Sequence, residues 1–212
     1  MDFREAVQPY AEEPLTQQIL LDLLKGYKRP YDKVNELVKK GMLLPVKKGF
    51  YIPGTRLGVT RPESFLIANH LWGPSYVSLE PALSYWGLIP ERTFEISSVT
   101  IKRSKTYKTP AGRFSYFHTP LPYYAFGVKS IRLTERQTVL IASPEKALCD
   151  KIVLTTGVFL RSIRSTLEFL REDLRIDEEA LSKLNREEIQ NWIAEAPKKN
   201  SLQMLIRTLN TL

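Results

Sequence analysis

A chain of 212 residues, 43% hydrophobic and 25% charged, has the balance of a folded globular protein, and its length suits one large domain or two small ones. The formal net charge of +8 favours an anionic partner. No apolar run reaches the ~18–20 residues of a membrane span, and a single cysteine, Cys149, excludes an internal disulfide framework. The opening stretch MDFREAVQPYAEEP carries early acids and no apolar segment, so no secretory signal is expected. Reduced thiol and missing signal together point to the cytoplasm.

Charge divides unevenly along the chain. Residues 1–56 hold ten Lys/Arg against seven Asp/Glu, residues 57–160 hold twelve against seven, and residues 161–212 balance at nine each. The positive excess therefore belongs to the first three quarters.

Thr16 is placed to cap a helix whose apolar residues Ile19, Leu20, Leu23 and Leu24 recur at helical spacing, with Gly26 as its stop. Pro30 suits the first turn of a second helix, where its missing N–H is not needed. Val34, Leu37 and Val38 form that helix's apolar stripe and Gly41 ends it. Leu43–Val46 and Phe50–Ile52, joined at Lys47-Lys48-Gly49, read as a hairpin. Helix, helix and hairpin outline a winged helix over residues 1–56. A complete helix-turn-helix has one helix more. Either residues 2–10 supply it, or the module is trimmed.

Pro53-Gly54 through Arg61-Pro62 reads as a linker. Two helices follow, Ser64–Leu71 and Glu80–Trp86, with Gly73-Pro74 between them and Gly87 after. From Glu95 the pattern becomes β: Val99 and Ile101 alternate with polar residues, as do Phe114 and Tyr116, around a turn at Thr109-Pro110-Ala111-Gly112. Gln137–Ala142 reads as a further strand. Ser143-Pro144-Glu145 then supplies a cap, a first-turn proline and an acid at the positive helix end, predicting a helix through Leu154. Beyond Gly157 the chain reads as helices, with Asp177 and Asn185 as caps and a last helix after Pro197. The fold class expected is α+β: a winged helix over 1–56, a mixed α/β unit over 57–160, and a helical segment over 161–212 packed on it.

Two clusters carry chemistry. On the helix after Pro30, burying Val34, Leu37 and Val38 turns Tyr31, Lys33, Asn35, Lys39 and Lys40 outward. Lys28 and Arg29 precede it, and Lys47 and Lys48 occupy the hairpin tip. Lysine neutralises phosphate and Asn reads base edges, so this set suits double-stranded DNA. Asp32 and Glu36 on the same helix act against it. The second cluster lies between Ile96 and Thr134, where no Asp or Glu occurs. Lys102, Arg103, Lys105, Lys108 and Arg113 form a possible second phosphate contact there, amid aromatics that suit either a sheet core or stacking on bases. An enzyme finds little support. His70 and His118 share no metal-ligand spacing with Cys149, His118 falls on the Phe114–Tyr116 face as a packed ring, and Glu145 and Asp150 lie five apart on one helix. No nucleotide-binding glycine motif occurs. No cofactor or metal is expected.

Four stretches, in order, resemble the AbiEi-type antitoxins of type IV abortive-infection toxin–antitoxin systems and their transcriptional-regulator relatives. Leu37-Val-Lys-Lys-Gly-Met-Leu followed by Lys47-Lys-Gly-Phe-Tyr looks like the family's recognition helix and wing. Tyr76-Val-Ser-Leu-Glu-Pro-Ala-Leu-Ser-Tyr-Trp-Gly-Leu-Ile is similar to its ISL-x-x-AL-x-x-x-GL segment. Thr109-Pro-Ala-Gly-Arg-Phe-Ser-Tyr resembles its TP-x-G-x-F-x-Y hairpin, and Ser143-Pro-Glu-Lys-Ala-Leu-Cys-Asp its PEKAL-x-D helix. The resemblance implies a non-catalytic repressor of its own operon that binds inverted repeats. It also implies opposition to a nucleotidyltransferase-like toxin without a stable complex. A protein-interaction module on the same scaffold, or an RNA-binding protein using residues 96–134, are the alternatives left open.

Overall fold

The structure, a computed structural model, describes residues 2–212 and is of the α+β class. The first unit runs α1 (Phe3–Val7), β1 (Leu15–Thr16), α2 (Gln17–Leu23), α3 (Pro30–Lys39), β2 (Leu43–Lys47) and β3 (Phe50–Pro53). Its three strands are antiparallel in the order β1-β3-β2. A helix does form within residues 2–10, at Phe3–Val7, ahead of the two helices expected from the sequence. Asp2 caps α1 by accepting from the Arg4 N–H at 3.0 Å. Phe3 and Val7 drop into a small core with Leu15, Leu20, Leu24, Val34, Leu37 and Leu43. Val38 is only half-buried at its edge.

The stretch expected as a linker is anchored. Its 3-10 turn at Thr55–Leu57 buries Leu57 in the same small core.

The second unit is built on a six-stranded sheet, β4 (Ser75–Val77), β5 (Glu95–Thr100), β6 (Lys105–Thr109), β7 (Gly112–His118), β8 (Val128–Arg132) and β9 (Thr138–Ala142). The order is β6-β7-β5-β4-β9-β8, with β5–β7 and β4–β9 parallel and the other pairs antiparallel. Helix α4 (Ser64–Leu71) lies against one face, where the Tyr116 hydroxyl donates to the Ala68 carbonyl at 2.7 Å. Helix α6 (Pro144–Leu154) covers the other, reached by Tyr76. Helix α5 (Leu79–Tyr85) packs beside α6.

The tail adds α7 (Ile163–Glu168), a π-turn at Phe169–Asp173, α8 (Glu178–Ser182), α9 (Arg186–Trp192) and α10 (Lys199–Leu209). Leu202, Leu205 and Leu209 of α10 join the sheet's core, as do Ile189 and Trp192. Asn185 caps α9 through its side chain, whereas Asp177 makes no side-chain bond to α8.

The hairpin β2–β3 joins the two units as a two-faced layer. Leu43 points into the small core, while Val46, Phe50 and Ile52 belong to the large one. Strand alternation alone gives one ribbon two apolar faces.

Two strand expectations shift. β5 stops at Thr100, leaving Ile101 exposed beyond it. His118 ends β7 and is exposed rather than packed, with its Nδ1 3.1 Å from the Lys102 carbonyl.

Candidate nucleic-acid interface

Helix α3 starts at Pro30, whose fixed φ suits the first helical position. It ends at Gly41, which takes φ +68, a left-handed conformation open to glycine at little strain. The chain then turns sharply enough for the Met42 N–H to donate to the Leu37 carbonyl at 2.9 Å. Gly54 closes the hairpin behind it by donating to the Met42 carbonyl at 2.8 Å. A Cβ on Gly54 would lie 2.1 Å from the Gly41 carbonyl oxygen, so helix end and hairpin end meet backbone to backbone. The hairpin turn is held against α2 as well, through the Gln17 N–H to the Gly49 carbonyl at 3.0 Å.

With Val34 and Leu37 buried, the residues four apart on the opposite side form a row: Tyr31, Asn35 and Lys39. All three are exposed, and Tyr31 keeps 58% of its surface open. Among the described residues none of their side chains makes a hydrogen bond or ion pair. The same holds for Lys28 before the helix and Lys48 at the hairpin tip, both exposed.

The other cations of this set are engaged. Arg29 lies 3.8 Å from Asp32. Glu36 takes Lys33 at 3.0 Å and Lys40 at 2.5 Å, and its bonds to Lys40 and Lys33 hold its carboxyl below the usual range. Lys33 is half-buried and also lies over the Tyr27 ring. These pairs are solvated and individually weak, yet they leave the Tyr31–Asn35–Lys39 row as the least encumbered strip of the helix.

Lys47 departs from the position expected for a wing tip. Its ammonium turns inward and donates to the Leu71 carbonyl at 2.5 Å, at the end of α4. Burial first, then the neighbouring charges of Lys105 and Lys102, push it below the ordinary lysine range. The hairpin tip proper is Lys48-Gly49.

The second basic cluster splits. Antiparallel register puts Lys105 opposite Tyr116 and Lys108 opposite Arg113, so the two pairs occupy opposite faces of the sheet. Lys102 and Lys105 lie over the Trp72 ring at 5.1 and 4.6 Å, with Arg103 exposed between them in sequence. Arg113 is on the far face, paired with Glu95 at 2.9 Å, and Lys108 stands exposed beside it. Phe114, Tyr116 and Tyr123 are buried as sheet core, while Tyr107, Phe117, Tyr124 and Phe126 are half-buried.

A buried polar cluster escapes sequence reasoning. Lys146 and Asp150 are fully buried and 3.0 Å apart on α6. Asp150 accepts from the Tyr76 hydroxyl at 3.0 Å and the Ser78 hydroxyl at 2.7 Å, and Lys146 donates to the Tyr123 carbonyl at 2.9 Å. The signal was the i,i+4 spacing of the two residues inside an apolar helix. Glu145 is equally occupied, accepting from the Ser143 hydroxyl and the Asn185 N–H. Cys149 lies beside them, fully buried, and burial pushes its thiol well above the ordinary range, against thiolate chemistry. Every carboxylate and ammonium of this cluster is bonded within the protein, in the manner of a structural pin.

No family model and no curated protein matches the chain. Among solved structures it is similar to the crystal structure of the Rv2827c protein from Mycobacterium tuberculosis. That likeness has a TM-score of 0.62 at 14% identity and covers 97% of this chain and 75% of the other. It establishes a shared fold.

Proposed function

We propose that this protein is a cytoplasmic, non-catalytic double-stranded-DNA-binding regulator whose first unit is a winged helix. In this reading α3 enters the major groove. Tyr31 and Asn35 face base edges, Lys39 and Lys28 meet phosphate at its two ends, and Lys48 reaches the backbone as the wing. The observation that carries it is the Tyr31–Asn35–Lys39 row, exposed and unengaged on a helix whose C-terminal end is fixed against the hairpin. Groove recognition requires a polar outer row free to leave water for base edges and phosphates, and this row is free to do so. Paired Arg29, Lys33 and Lys40 contribute less, because phosphate must displace Asp32 or Glu36 first. The sequence resemblance to type IV antitoxins supplies the biological setting: repression of its own operon through inverted repeats, and opposition to a nucleotidyltransferase-like toxin without a stable complex. Among the described residues, no helix is long and apolar enough to cross a membrane.

The test is a binding titration with the duplex upstream of the protein's own gene, an unrelated duplex and an RNA of equal length. The proposal expects the upstream duplex to bind more tightly than both. Equal affinity for the RNA, or no duplex binding by wild type, would overturn it.

A further inference from the structure

Three ammonium groups meet where the two units touch. β2 of the first unit runs beside β6 of the second. Lys47 on β2 bonds the Leu71 carbonyl, and the next residue, Trp72, carries Lys102 and Lys105 over its ring. Lys105 also lies 4.7 Å from the Tyr107 ring centroid. None of the three lysines is ion-paired among the described residues. Folding has therefore gathered charges from positions 47, 102 and 105 with no acid between them, and Lys47 loses proton affinity partly through Lys105 and Lys102.

One competing explanation is local. Lys47 and Lys102 donate to the Leu71 and Gly73 carbonyls at the end of α4, where a helix favours cations. That end offers only about half an elementary charge, against three ammoniums. Lys105 makes no hydrogen bond to it and rests on aromatic faces alone. An ammonium has three donors, so Lys47 and Lys102 each keep donors free. What remains is a positive surface patch beside the Trp72 ring, adjoining through β2 the exposed Lys48 tip.

We propose that this cross-unit cluster of Lys47, Lys102 and Lys105 around Trp72 holds a backbone phosphate of the same duplex whose groove receives α3. The inference rests on the DNA reading of α3 and adds to it a second attachment point, contributed by the sheet unit. Lys108 and Arg113, on the opposite face, take no part. The site also explains why Lys47 turns away from the hairpin tip: it serves the seam between units.

The experiment compares wild type, K102Q/K105Q and Y31A/N35A/K39Q, leaving Lys47 intact because it is half-buried, whereas Lys102 and Lys105 are exposed. Salt titrations of duplex binding are the first readout and thermal shift with inorganic pyrophosphate is the second. The expected result is that K102Q/K105Q lowers the salt slope by about 0.9, the loss of one phosphate contact. It should do so for any duplex sequence while sequence preference persists. A slope equal to wild type overturns the proposal, even where the variant melts earlier, since that marks a helix-end role alone. A pyrophosphate shift lost in K102Q/K105Q with an unchanged duplex slope also overturns it, in favour of a free phosphate ligand. Failure of the α3 reading is distinguishable: Y31A/N35A/K39Q then leaves duplex affinity and preference intact while K102Q/K105Q still lowers the slope.

Discussion

Lys39 and Lys40 are neighbours with different obligations. Lys40 is held by Glu36 at 2.5 Å, whereas Lys39 stands free in the row with Tyr31 and Asn35. Lys39→Gln should lower the salt slope of duplex binding by about one and Lys40→Gln by less, measured by anisotropy across a salt series. Equal effects would mean that the Glu36 pairs dissolve on binding. Asn35→Ala should instead change which sequence is preferred, at about 1–3 kcal/mol of discrimination for a bidentate base contact. The buried pair on α6 makes a residue-scale prediction of another kind. Lys146→Met strands the Asp150 carboxylate in the core and should destabilise the fold by about 3–5 kcal/mol in urea unfolding, with the double Lys146→Met/Asp150→Leu change recovering much of the loss. No recovery would show that the surroundings, and not the stranded charge, set the penalty.

Burial also fixes how stability responds to alkali. The Tyr76, Tyr116 and Tyr123 hydroxyls and the Cys149 thiol are all raised, chiefly by desolvation. The folded chain therefore keeps protons that the unfolded chain releases above its ordinary values of 9.0 for Cys and 10.0 for Tyr. The unfolded state then binds fewer protons, so stability falls as pH rises through that range. Lys146, Lys47 and Lys198 are lowered, chiefly by burial, and act with the opposite sign below 10.5, as three groups against five once the raised Tyr124 is added. The urea midpoint should drop steadily from about pH 9 upward. A flat profile there would show that these groups ionise while folded.

At the scale of elements, the local signals with a named physical cause were legible. Thr16 accepts from the Ile19 N–H at 3.3 Å, Ser143 from the Lys146 N–H at 3.2 Å, and Pro30 and Pro144 stand in first turns. The strands that sequence missed, β1, β4, β6 and β8, are short or lack clean alternation. β4 is buried on every residue, so no exposed position marks its period. The row on α3 was readable from helical spacing. The inward turn of Lys47 was not, because it depends on Leu71, 24 residues away. For the same reason the meeting of Lys47 with Lys105 has no local signature. Two element-level changes follow. Ser143→Ala removes the α6 cap and a bond to Glu145, and should lower stability by about 1–2 kcal/mol. Gly54→Ala pushes a Cβ onto the Gly41 carbonyl and should cost about 1–3 kcal/mol, loosening α3 against its hairpin. A thermal melt checks both, and an unchanged melting temperature for Gly54→Ala would contradict the close approach described here.

For the whole molecule, the hairpin matters most as a shared wall. Its Leu43 side closes the small core and its Val46, Phe50 and Ile52 side joins the large one. Glu12 in turn is within 3.4 Å of Thr134 and Gln137 across the same seam. Two units joined by apolar packing present their cations in a fixed relation, α3 and Lys48 from one, Lys102 and Lys105 from the other. Such a body would meet a duplex along more than one element, with salt dependence spread over both units. The central claim is that α3 is the reading element. The most direct measurement is a duplex-binding titration of wild type against Y31A/N35A/K39Q, using the upstream duplex and an unrelated one at several salt concentrations. The account predicts that wild type prefers the upstream duplex and that the variant loses this preference while still melting as wild type does. A variant that folds, binds and discriminates like wild type would contradict it.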